Sequence, residues 1–167
     1  MIDLLNKGGF MGYTHYWTFT KVKGKTKETE ELYQKAVKDC QRIILAYKKE
    51  FGGLAGYSAH TKLGQYGGID FNGAREEGHE NFVLREQFKE NYSFNFCKTA
   101  QKPYDEVVTA CLIILSHYLG DNIKVSSDGY QEDWQSGLEL VKKVLKRVKK
   151  FSIPKNIEFS GKLTIVS

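Results

Sequence analysis

The sequence predicts an α+β fold: one domain with a mainly antiparallel sheet and about three helices packed on one face of it. Three observations lead there. Aromatic and β-branched residues alternate from Tyr13 to Thr20, helical periodicities occupy three stretches, and short alternating segments lie between them. In chain order they read β-α-β-β-β-α-β-α-β. The length of 167 residues and hydrophobic content of 41% suit a single core.

Alternation in the first strand sets Tyr13, His15, Trp17 and Phe19 on one face and Thr14, Tyr16, Thr18 and Thr20 on the other. From about Glu28 to Phe51, Tyr33, Ala36, Val37, Cys40, Ile43, Ile44 and Tyr47 recur at helical spacing, and Gly52-Gly53 stops the helix. Gly52 to Gly68 has no period and reads as a long loop, which is either disordered or a binding loop whose Tyr57, His60, Lys62 and Tyr66 close over a ligand. Strands are expected at Gly68–Asn72, Asn81–Glu86 and Tyr92–Thr99. In the last, Phe94 and Phe96 are expected on the core face, leaving Ser93, Asn95 and Cys97 on a polar one.

Pro103 fits a helix first turn, Asp105 and Glu106 complement its dipole, and an apolar run through Leu119 marks the most buried helix. Ile123–Ser127 reads as a strand, followed by a helix from about Gln131 to Phe151 with a stripe of Trp134, Leu138, Val141, Leu145 and Val148. Lys142, Lys143, Lys146, Arg147, Lys149 and Lys150 cluster away from that stripe, as a solvated basic face does. Ile157–Val166 reads as an edge strand or hairpin.

A net charge of +5 and a pI near 9.0 favour anionic partners. No apolar run is long enough to span a bilayer and no export signal is recognisable, so a soluble cytoplasmic protein with no membrane partner is expected. Three cysteines without CxxC spacing suggest neither a disulfide framework nor zinc. Lys7-Gly8-Gly9-Phe10-Met11 can be encoded by AAA GGA GGT TTT ATG, a bacterial ribosome-binding sequence just before a start codon. Residues 1–10 are therefore expected to be translated leader, and residues 11–167 the single α+β domain.

Motifs for phosphate-binding loops, zinc proteases, nucleophile elbows and dinucleotide folds are missing. His15, His60, His79 and His117 show no metal-ligand spacing, so neither a metal nor a cofactor is expected. Strand ends and turns instead mix lysines, aromatic rings and amides, the three groups that a phosphorylated aromatic ligand needs. The candidate ligand-binding residues are Lys98 and Lys102 for phosphate, Tyr16 or Tyr104 for stacking, and Asn72, Asn95, Thr99 and Asp128 for hydrogen bonds.

MGYTHYW (Met11–Trp17), FNG (Phe71–Gly73), HENFVL (His79–Leu84), FCKTAQKPYDEVV (Phe96–Val108) and SSDG followed by Trp134 resemble a family of small bacteriophage and prophage proteins. The likeness spans Met11 to about Trp134 and carries no established activity. It implies an accessory phage product in the cytoplasm of a bacterial host cell. The leading expectation is a protein that binds an anionic, nucleotide-like small molecule and so sequesters a host defence signal. Two alternatives stand beside it: a small hydrolase or transferase using Cys97 or a His/Asp pair among His15, His79 and Asp128, and an inhibitor that docks on host protein or nucleic acid through the basic last helix. Self-association is open.

Overall fold

The computed structural model describes residues 13–20, 26–56, 68–88, 94–146 and 150–161. At its centre is β1 (Thr14–Phe19), whose strict alternation buries His15, Trp17 and Phe19 and turns Tyr16 and Thr18 to the other face. It pairs antiparallel with β5 (Phe94–Lys98) on one side and with β6 (Ile123–Ser127) on the other. The two-residue β7 (Glu158–Phe159) adds parallel to β6, so the main sheet runs β5-β1-β6-β7.

Three helices cover its inner face. α1 (Thr26–Phe51) buries the stripe from Tyr33 to Tyr47 and ends where Gly52 and Gly53 turn to φ values of +66° and +71°, a region closed to most side chains. α2 (Asp105–Leu119) is apolar nearly all round because it lies between α1, α3 and the sheet, with every residue from Val107 to Ser116 buried. α3 (Gln135–Val144) continues from a 3₁₀ turn at Gln131–Trp134. It approaches α2 at Gly137, where a Cβ would overlap Thr109 Oγ1 and stand 2.9 Å from Ala110 N.

A second, three-stranded antiparallel sheet joins β2 (Leu54–Ala55), β3 (Ile69–Gly73) and β4 (Phe82–Leu84). Its Phe71 and Phe82 reach the common core, Phe82 lying 5.0 Å between ring centroids from Trp17. The fold is the expected single α+β domain with mainly antiparallel sheets, and β2 is an element that the sequence did not suggest. β2 forms at the start of the expected loop; Tyr57, His60, Lys62 and Tyr66, like residues 1–10, lie outside the described residues.

Two expectations are corrected. Phe94 and Phe96 do not face the core: they are 62% and 53% exposed, while Cys97 is fully buried with its thiol 3.4 Å from Glu80 O. The register decides this, because Phe96 stands opposite Tyr16 and Phe94 opposite Thr18, and β1 has already committed that face to the outside. The last helix stops at Val144, and Phe151 folds back onto His117, their rings 4.5 Å apart. The expected C-terminal edge strand is present as a parallel pair at Glu158–Phe159, and residues 162–167 of its expected range lie outside the described residues.

Candidate functional site

Two polar constellations meet on β1, one on each side of the sheet. On the inner side, His15 is fully buried, with Nε2 2.6 Å from Asp105 Oδ1 and Nδ1 2.9 Å from Ser127 Oγ. Thr99 Oγ1 donates to the same Asp105 oxygen at 2.6 Å, and Ser127 Oγ accepts from Gly129 N at 3.1 Å. The rings of Tyr13 and Trp134 close edge-on around the imidazole. Ser127, His15 and Asp105 thus follow the order of an acyl-transfer triad. Yet Ser127 is 1% exposed and its oxygen is already engaged, so no substrate reaches it; the chain of bonds locks β1, β6 and the start of α2 together.

Cys97 offers no better nucleophile. Burial pushes its thiol up to about 12, with the nearby Tyr104 hydroxyl opposing that rise and the Glu80 charge adding to it. A thiol so raised holds almost no thiolate near neutrality. His15 is held by Asp105 and Ser127, not by His79 or Asp128: the exposed His79 donates its backbone N–H to Asn72, and Asp128 accepts from Thr14 N.

The candidate ligand-binding residues do not line one concavity. Tyr104 is buried and donates to Glu80 O at 2.6 Å, and burial raises its phenol above the ordinary tyrosine value. Thr99 is spent on Asp105. Asn72 braces the β3–β4 connection through Gly73 N, His79 N and His79 O, and Lys102 Nζ donates to Glu76 O. Asn95 leans inward, its Nδ2 3.5 Å from Trp17 O. Tyr16, Lys98 and Asp128 remain together near the outer face of the main sheet.

That outer face is the second constellation. Tyr16 and Phe94 stack at 5.8 Å with planes 25° apart, and Phe94 lies 6.1 Å from Phe96. Lys98 continues the row on β5; Thr18, Lys124, Ser126 and Glu158 share the face on the neighbouring strands. An open groove of about 410 Å³ runs over it, with Tyr16 and Thr18 in its floor, Phe94 on one side and Asn156 with Glu158 on the other. Asp121 and Lys124 also line it. Its size falls within the roughly 300–1,000 Å³ usual for ligand sites.

Leaving two phenylalanine rings in water forgoes about 1.5–3 kcal/mol each relative to burying them. Contiguous exposed rings on a well-covered domain mark a surface that meets something. Of the groove's residues Tyr16 and Ser126 were singled out in the sequence; Phe94, Lys124, Asp121, Asn156 and Glu158 were missed. The signal that would have found Phe94 is its cross-strand partnership with the outward face of β1.

Protein-family models, curated proteins and solved structures were all compared with this chain, and none matches. Among the described residues no three His, Cys, Asp or Glu side chains are grouped to hold a metal ion, and no helix is long and apolar enough to cross a membrane.

Proposed function

We propose that the protein binds an anionic, nucleotide-like ligand on the outer face of its main sheet. The observation that carries this reading is the contacting row Tyr16, Phe94 and Phe96, in which Tyr16 is half-buried and both phenylalanines are exposed beside Thr18, Lys124 and Ser126. Base-on-ring stacking contributes about 1–3 kcal/mol per base and tolerates any base. Asp121 and Glu158 accept hydrogen bonds from ring and exocyclic N–H groups, and Lys98 and Lys124 attract phosphate.

Binding without turnover is favoured over catalysis because Ser127 and Cys97, the groups best placed for nucleophilic chemistry, are both sealed from solvent. In the accessory phage role that the sequence motifs suggest, such a protein sequesters a nucleotide signal of host defence and releases it intact. Calorimetry against nucleotides and cyclic nucleotides tests the reading. Heat of binding that disappears in Phe94→Ala and weakens in Lys98→Ala is the expected result; silence across the whole set overturns it.

A further inference from the structure

We infer that the natural occupant of the outer face is a single-stranded nucleic acid segment spanning several nucleotides. The inference rests on the nucleotide-binding reading above and adds the polymer. Its basis is where the cations stand relative to the rings. Lys98 is opposite Thr14 on one side of β1, and Lys124 is opposite Thr18 on the other. That places the lysines at diagonal corners of the face, about 13 Å apart along the strands and about 10 Å across them at standard strand rise and spacing.

A free mononucleotide carries its phosphates on one side of its base and cannot meet both corners at once. A strand carries a phosphate at every step, so one chain crossing the diagonal satisfies both lysines while its bases lie on the rings between them. Among the described residues, no hydrogen bond or ion pair occupies the ammonium of Lys98 or Lys124, whereas those of Lys102 and Lys143 are bound to Glu76 O and Glu50. Within the groove Lys124 attracts phosphate, whereas the carboxylates of Asp121 and Glu158 repel it and leave their part of the groove to base edges. The protein's net charge of +5 has the sign that such a polyanion requires.

The test is fluorescence anisotropy of the intact protein with single-stranded DNA and RNA oligomers of about eight nucleotides, a length within the usual site size, beside the corresponding mononucleotides. Expected is binding at least about tenfold tighter for an oligomer than for any mononucleotide, with a drop of about fivefold or more in both Phe94→Ser and Phe96→Ser. The logarithm of affinity should fall with the logarithm of salt at a slope near −1.4, about −0.7 per lysine–phosphate contact, and Lys98→Gln or Lys124→Gln should each remove half of it. The paired oligomers report whether the sugar hydroxyl is read. Because the substituted rings are exposed, circular dichroism should show each variant folded. Equal affinity for mononucleotide and oligomer overturns the polymer while leaving nucleotide binding in place. No binding of either overturns both, and if light scattering then shows a dimer that Phe96→Ser dissolves, the face belongs to a second copy of this chain.

Discussion

His15 Nε2 lies 2.6 Å from Asp105 Oδ1, a contact that ties the central strand of the sheet to the first turn of α2, ninety positions further along the chain. Without the imidazole Asp105 keeps Thr99 and Ser127 keeps Gly129 N, so the cost is that of lost buried hydrogen bonds, about 1–3 kcal/mol, plus that of the cavity the ring leaves. His15→Ala is therefore expected to remove a large part of the roughly 5–15 kcal/mol that a domain of this kind has. Urea unfolding measures it. Asp105→Asn, which keeps shape and an acceptor, should cost less, and the double variant should fall short of the sum of the two singles.

Gly137 presents a conflict of two known effects. Alanine in a helix interior gains up to about 1 kcal/mol over glycine, whereas overpacking a tight contact costs about 1–3 kcal/mol. Here the added Cβ meets Thr109 Oγ1 and also the backbone of α2 at Ala110 N, which cannot swing away, so Gly137→Ala should be net destabilising. Thermal unfolding should show a lower Tm, partly restored by adding Thr109→Ala.

Cys97 should behave as a packed hydrophobe. All three cysteines are buried, so a disulfide reagent at pH 8 should label none in the folded protein and 3 per chain after denaturation. The thiol's value rises from an ordinary 9.0 to about 12 on folding, so the neutral form is the one that the fold favours. The resulting contribution is fully present below pH 9 and is lost as pH climbs towards 12. Cys97→Ala should flatten that part of the stability profile and leave ligand binding unchanged.

Glu106 gives the acid-side counterpart. Burial in α2, reinforced by the nearby Glu139 carboxylate and opposed by Lys143, raises its carboxyl above the ordinary 4.5. The folded state then binds its proton more tightly than the unfolded state does, so stability falls as pH rises from 4.5 through the raised value. Glu106→Gln should raise Tm above that window and leave it unchanged well below. Lys143→Ala should act in the opposite direction, since it removes a compensating charge.

How much of this was legible beforehand follows from the kind of information each element needs. β1, α1 and α2 declare themselves, because their periods are long and their buried residues are contiguous on one face: Trp17 and Phe19, the Tyr33–Tyr47 stripe, and the unbroken apolar run from Val107. β2 is too short to carry a period, and it forms only because β3 offers Asn72 and Gly73 as partners. The end of α3 was misplaced because the apolar stripe continues past Val144, although Leu145 and Phe151 bury themselves without helical backbone.

The site shows the same division. Sequence alone determined the fold class and the inward face of β1, and its rings, lysines and amides gave rise to the expectation of a nucleotide-like ligand. Which of those groups share a surface was decided by strand pairing, a relation between residues about eighty positions apart. Phe94 and Phe96 alternate as cleanly as any core pair; alternation separates two faces without saying which is wet. Only the antiparallel register with β1 turned them outward beside Tyr16, while Thr99, just past the paired residues, donates on the inner side to the Asp105 that also holds His15.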